Sequence, residues 1–201
     1  MAKSGIQPQL WTPRPVAETL QVYTDWADSY DADVGDRGYV TPTRIADAVL
    51  PWVTPAVTVL DYGCGTGLSG RALARAGLGP LHGTDITPAM VEVARQKKIY
   101  DRLWVGEPGT PPCAPGEYPV IIATGVVSLG AAPPDCFDLL LDALAPGGVL
   151  ALSFNDPTLQ DGRYDARLTA RADDLEILFR EHGPHLQESQ MGADVLVLRR
   201  R

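Results

Sequence analysis

Residues Val59 to Gly67 read V-L-D-Y-G-C-G-T-G: a short apolar run, an acid at Asp61, then glycines at alternate positions, Gly63, Gly65 and Gly67. Glycine lets the backbone turn at positive φ and lets a ligand lie against the main chain, so this cluster at a strand end points to a ligand cradle. The acid selects the ligand. Gly65-Thr-Gly67-Leu-Ser-Gly70 also fits the G-x-G-x-x-G dinucleotide pattern, which needs a helix N-terminus facing a pyrophosphate. A carboxylate two positions ahead of the glycines repels a pyrophosphate and suits a cation. A short-chain dehydrogenase would also need a Tyr-x-x-x-Lys pair, and none of the seven tyrosines is followed by lysine at that spacing.

The chain that must position this loop has 201 residues, 45% of them hydrophobic, enough for one domain with a full core and short for two. A formal net charge of -8 opposes the basic footprint that phosphate backbones and anionic membranes require, which excludes nucleic acid and membrane as expected partners. No apolar run reaches the roughly 20 residues of a membrane span, and Met1 to Leu10 lacks the apolar core of a signal peptide, so a soluble, cytoplasmic protein is expected. Cys64, Cys113 and Cys136 are odd in number and far apart, fitting reduced thiols and neither a disulfide framework nor a zinc knuckle. His182-Gly-Pro-His185 reads as a loop, and no metal is expected.

Met1 to Pro15 is polar, rich in Pro and Gln, and expected to be loose. Val22, Trp26 and Tyr30 recur at four-residue spacing, predicting a helix over 16–30, and a second helix runs from Thr41-Pro42 to Pro51. Beyond it strands and helices alternate: strands at 57–60, 81–84, 103–105, 120–124 and 149–154, and helices at 68–76, 88–98 and 134–144. Glu107 to Glu117 is too rich in Pro and Gly for regular structure. A helix around 173–181 is expected to lead into a hairpin of 185–190 and 194–199 turning near Gly192. These elements make a Rossmann-like, doubly wound α/β fold, a mostly parallel seven-stranded sheet with an antiparallel C-terminal hairpin. Residues 16–201 are expected to form a single domain, with 16–51 as an N-terminal helical lid.

Asp61 to Gly67, the acid of G-T-D-I-T (Asp85) and A-P-G-G (Ala145 to Gly148) resemble the class I S-adenosylmethionine-dependent methyltransferases, over about Val22 to Arg199. L-D-Y-G-C-G-T-G-L-S-G-R-A-L and I-Y-D-R-L-W-V-G-E look most like the methyltransferase-like proteins of the Williams-Beuren syndrome region. The resemblance implies S-adenosylmethionine as cofactor. Gly63, Gly65 and Gly67 would then lie against its methionine part, whose ammonium and sulfonium Asp61 compensates. Asp85 would take both ribose hydroxyls, leaving the capping of the next helix to Thr87, and Ile86 would lie on the adenine. Glu107 would receive the adenine amino group, and Thr124 and Gly125 would bring backbone carbonyls to the ammonium. Tyr23 and Tyr30 of the lid are expected at the same site. Where the family commonly has an aromatic-Asp pair, this chain has Tyr118-Pro119, so altered local geometry is expected there.

The implied reaction is in-line methyl transfer to a small-molecule acceptor, in which the protein contributes mainly alignment and desolvation. The histidines, His82 at a strand start and His182 and His185 near the hairpin, are badly placed for a base. Tyr23, Tyr30, Asn155 and Asp156 lie nearer the expected mouth, without a ground for choosing a base among them. Two other readings stay open: a non-catalytic binder of the same cofactor acting through protein contacts, and a nicotinamide-dependent oxidoreductase.

Overall fold

A computed structural model of the protein describes residues 8–201; the first part of the expected loose segment, residues 1–7, lies outside the described residues. Pro8–Trp11 is a turn of 3-10 helix. The helix expected over 16–30 is two helices, α1 (Val16–Trp26) and α2 (Tyr30–Asp36). Across the break, the Trp26 indole N–H and the Ser29 hydroxyl both donate to Asp33 Oδ2, at 2.6 and 3.0 Å. A third helix, α3 (Thr41–Val49), carries Pro42 in its first turn, where a missing N–H costs no helix bond.

Then come β1 (Val59–Tyr62), α4 (Leu68–Arg75), β2 (Leu81–Asp85), α5 (Pro88–Gln96), β3 (Arg102–Val105), β4 (Val120–Ala123), α6 (Cys136–Ala143) and β5 (Val149–Asn155). Two short helices, α7 (Asp156–Asp161) and α8 (Arg163–Ala170), precede the hairpin of β6 (Leu175–Leu186) and β7 (Met191–Arg200). The seven strands form one sheet in the order β3-β2-β1-β4-β5-β7-β6. β1 to β5 are mutually parallel and β7 is antiparallel to both its neighbours.

Period-2 geometry divides the central strands between two cores. Leu60, Ile121, Ala123, Leu150, Leu152, Leu196 and Leu198 meet Phe137, Leu140 and Leu141 of α6 with Tyr164 and Leu168 of α8. Their alternates Val59, Val120, Ile122, Val149, Ala151, Val195 and Val197 meet Ile45, Ala46 and Val49 of α3 with Leu73 of α4. Helix α3 therefore belongs to the layer covering the sheet, while residues of α1 and α2 overhang the strand ends. At Tyr118-Pro119, β4 begins at Val120 as expected, directly after the proline; Pro119 O accepts from Val149 N at 2.9 Å, and the buried Tyr118 hydroxyl meets His82 Nδ1 at 2.7 Å.

The C-terminal expectations need correction. Of the helix expected over 173–181, only 173–174 are helical, in a 3-10 turn (Ala172–Asp174), and 175–181 are strand, part of β6; residues 187–190 form the turn that was expected to be strand. His182-Gly-Pro-His185 is likewise strand rather than loop. Leu175, Leu178 and Phe179 imitate helical spacing, but the long apolar β7 supplies a ladder partner, tied further by Arg199 to Glu176 at 3.0 Å and Arg180 to Asp194 at 2.7 Å. Pro184 is tolerated because β6 is the sheet's edge strand, where a missing N–H breaks no ladder.

Leu140 is fully buried beneath the sheet. Its truncation to alanine is expected to cost about 2–5 kcal/mol of unfolding free energy in urea denaturation.

Candidate functional site

Past β1 the chain turns through Gly63, Gly65 and Gly67 at φ of 66°, 52° and 92°, the left-handed region that favours glycine. Its N–H groups are fastened to the end of β2: Gly63 and Cys64 donate to Thr84 O at 2.8 and 3.0 Å, and Gly65 donates to Asp85 Oδ2 at 3.0 Å. A Cβ at Gly63 would stand 2.2 Å from Val126 Cγ2, whereas one at Gly65 would meet nothing within 4 Å. The loop is thus closed against β4's extension at Gly63 and open at Gly65.

The opening is a cleft of about 840 Å³ at the carboxyl ends of β1, β2, β3 and β4, within the usual range for small-ligand sites of roughly 300–1,000 Å³. The sheet order reverses between β1 and β4, and this switch point is where open α/β sheets bind ligands. Gly63, Gly65, Asp85, Ile86, Glu107, Thr124, Gly125, Tyr23 and Tyr30 all line the cleft. Asp61 and Gly67 do not. Asp61 is buried beneath the loop, and a Cβ on Gly67 would face the Tyr100 ring at 3.4 Å.

The Asp61 carboxyl accepts from the hydroxyls of Ser69 and Tyr100 through Oδ2, each at 2.6 Å. Among the described residues its Oδ1 is buried without a hydrogen-bond partner. Burial pushes its pKa up to about 6; the bonds from Ser69 and Tyr100 hold it down, and the neighbouring charge of Asp85 adds to the rise. Asp85 is also raised by burial, against which the N–H groups of Thr87 and Gly65 work. Here the division of labour expected at β2 fails. Thr87 makes no side-chain cap, and Asp85 Oδ1 instead accepts the Thr87 N–H at 2.8 Å. Each carboxylate oxygen still has a second lone pair for a ligand hydroxyl.

Signals that the sequence did not reveal complete the walls. The Pro-rich segment contributes Pro108 to Pro112, and the exposed apolar Val16 and Val105 lie on the same surface. The hydroxyls of Thr84 and Thr124 are buried without a hydrogen-bond partner. Among lining residues the acids Asp85, Glu107, Asp135 and Asp138 face one cation, Arg167, whose guanidinium is tied to Asp138. Helix α2 is tied to the loop: Asp31 accepts from Thr66 Oγ1 at 2.5 Å and pairs with Lys97. Of the remaining candidates, Asn155 caps α7, Oδ1 accepting from Thr158 N at 3.1 Å, and Asp156 Oδ2 accepts from Gly192 N at 2.7 Å, away from the cleft.

An S-adenosylmethionine molecule suits this donor set. The unpartnered Asp61 oxygen and the acidic lining favour a cation, Asp85 can accept hydroxyls, and Gly65 leaves room against the backbone. Comparison with known proteins agrees. A methyltransferase-domain family profile matches residues 59–148. Methyltransferase-like protein 27 of Homo sapiens is 33% identical over 168 residues, covering 80% of this chain and 67% of that protein. The ribosomal protein L11 methyltransferase of Burkholderia cenocepacia is 30% identical over 155 residues, 70% of this chain, which spans about half of that relative. In fold, the [4+2]-cyclase SpnF matches with a TM-score of 0.71 at 17% identity over 98% of this chain and 99% of that one. A TehB-like S-adenosylmethionine-dependent methyltransferase from Corynebacterium glutamicum matches at 0.63, 23% identity, over 93% and 100%.

Replacing Asp85 by alanine removes the acceptor of two backbone N–H groups, so unliganded stability is expected to fall by about 2–4 kcal/mol in urea titration. Asp85→Asn, which keeps one acceptor oxygen, should lose about half as much.

Proposed function

Since the chain belongs to the class I S-adenosylmethionine-dependent methyltransferases, we propose that it transfers a methyl group to a small-molecule acceptor by in-line displacement, in the cytoplasm. The observation that carries the choice of acceptor is the roof of the cleft. Tyr23 and Tyr30 close it from above, and the Asp31 latch holds α2 down on the glycine loop. An opening of this kind admits a small compound more readily than a folded protein surface.

In this reading Gly63 and Gly65 bear on the methionine part, Asp85 on the ribose hydroxyls and Ile86 on one adenine face. Val16 and Val105 give that ring an apolar slot, and Glu107 at the slot's mouth receives the amino group. Thr124 and Gly125 end β4 beside the loop, within reach of the ammonium. Asp61 and Gly67 act from behind, Asp61 through its field and Gly67 by letting the loop sit down on Tyr100. When bound, the cofactor supplies a methyl carbon already activated by a sulfonium. The chain's residues therefore need to align the acceptor and keep water out, and the aromatic roof serves both ends.

Calorimetry with S-adenosylmethionine or S-adenosylhomocysteine is expected to show micromolar or tighter binding, with thermal stabilisation of about 2.7 kcal/mol at a hundredfold excess over Kd. Gly65→Val should fold and lose that binding, because its side chain would enter ligand space at positive φ. Heat from a nicotinamide cofactor and none from the methyl donor would overturn the proposal.

The charge beneath the loop gives a second expectation. Asp61 is ionised above about pH 6, and only the ionised form attracts a cation. Affinity for the methyl donor should therefore rise between pH 5 and pH 7, by about tenfold, and Asp61→Asn should flatten the rise.

A further inference from the structure

Near its end β6 slips register against β7. Pro184 pairs with Gly192 and Leu186 with Met191, leaving His185 as the extra residue of a bulge. Bulges re-aim side chains. Here His185 and Leu186 are consecutive and both buried, although most of the strand before them is open to solvent. The segment ahead of α3 then holds the ring. Thr41 Oγ1 lies 2.8 Å from His185 Nδ1, Tyr39 meets the imidazole edge-to-face at 5.2 Å, and Val40 N–H donates to His185 O at 3.1 Å. Among the described residues Nε2 makes no protein hydrogen bond. Position in sequence, beside the hairpin turn, had suggested a histidine far from the chemistry.

His185 lines a chamber of about 60 Å³ together with Tyr23, Tyr30, Gly125, Ser128 and Asn155. Tyr23, Tyr30 and Gly125 also line the main cleft. The chamber therefore adjoins the cleft across these shared residues, and its far wall is made by Asn155 at the end of β5 and by His185 and Leu186 of β6. A water needs roughly 10–15 Å³ of such space, so the chamber has room for a hydroxyl and the carbon that bears it. Among the described residues no charged side chain lines it, and Trp26, Tyr39, Leu129 and Leu186 make much of its wall. Burial lowers the His185 pKa to about 4, against the pull of Asp156 and with a smaller push from Arg44, so the ring is neutral at pH 7.

Resting on the methyl-transfer reading above, we propose that His185 is the general base, and that the acceptor is a neutral small molecule, a phenol foremost, whose hydroxyl enters this chamber. In the tautomer this role requires, Nδ1–H donates to Thr41 Oγ1, a hydroxyl able to accept it, and Nε2 presents its lone pair. As the bond from the acceptor oxygen to the methyl carbon forms, the carbon–sulfur bond breaks and sulfur keeps its electron pair. The hydroxyl proton passes to Nε2 and later to water. A low-pKa imidazole suffices, because the oxygen becomes far more acidic than imidazolium as its new bond forms.

The test uses the full-length protein with 15N-labelled histidine, S-adenosylhomocysteine as unreactive filler and phenol as probe. Calorimetry first establishes that S-adenosylhomocysteine binds. Long-range proton–nitrogen NMR is then expected to show His185 as the Nδ1–H tautomer, with phenol shifting its Nε2 resonance and leaving His82 and His182 in place. His185→Asn, which retains a donor for Thr41, should keep S-adenosylhomocysteine affinity within about twofold, while methylation of phenol by labelled donor falls by about a hundredfold or more. The wild-type spectra keep the test decisive if the variant does not fold. If S-adenosylhomocysteine binds and phenol leaves Nε2 unmoved, or if folded His185→Asn methylates phenol at the wild-type rate, the inference is wrong. Failure of S-adenosylhomocysteine to bind would overturn the methyl-transfer reading and this inference with it.

Discussion

The hydrogen bonds from the glycine loop to the end of β2 are the constraint on which the site depends. Gly63 and Cys64 share the Thr84 carbonyl and Gly65 takes Asp85 Oδ2. With its N–H groups held there, the loop cannot relax away from the strand ends, and its only open edge is at Gly65. The same bonds orient Asp85, whose other oxygen holds the first turn of α5 through the Thr87 N–H. One carboxylate thereby joins the loop, the strand and the helix, and still has lone pairs directed to a ligand. The structural role at the start of α5, weighed for Asp85 on sequence but expected of Thr87, thus falls to Asp85.

Electrostatics follow from that geometry. Asp61, near the end of β1, and Asp85, at the end of β2, stand on adjacent strands, close enough for the charge of Asp85 to oppose the ionisation of Asp61. Ser69, Tyr100 and backbone N–H groups offset part of the burial cost, and one Asp61 oxygen is left unpartnered. Such an oxygen is destabilising in isolation and is relieved by a cation placed beside it.

Helices α1 and α2, the start of α3 and the hairpin converge on one place beside the cleft. α2 is held to the glycine loop through Asp31 and Thr66, and the segment from Tyr39 to Thr41 is held to the bulged end of β6. The tyrosines Tyr23, Tyr30 and Tyr39 are raised in pKa by burial and remain protonated at neutral pH, so the wall they make is neutral. The acidic lining of the main cleft and the neutral inner chamber are thus different environments, separated at Gly125, where β4 ends.

Much of this protein was determined locally, by residues that dictate their own surroundings. Alternating apolar residues in β4 and β5, glycines at positive φ, and Pro42 and Pro88 in first turns specify strands, loop and helix starts without reference to distant partners. The order of the elements then leaves few topologies for the sheet, and the cleft at its switch point follows. What the chain could not show by itself depends on groups far apart in sequence. Whether 175–186 is helix or strand turns on β7, which offers a complete ladder to a segment whose own spacing also fits a helix. Tyr100 reaches Asp61 across 39 positions, and Thr41 reaches His185 across 144. Spacing along a chain encodes only neighbours within an element, whereas burial and hydrogen bonding across the sheet decide which histidine faces a cavity and which oxygen is left without a partner.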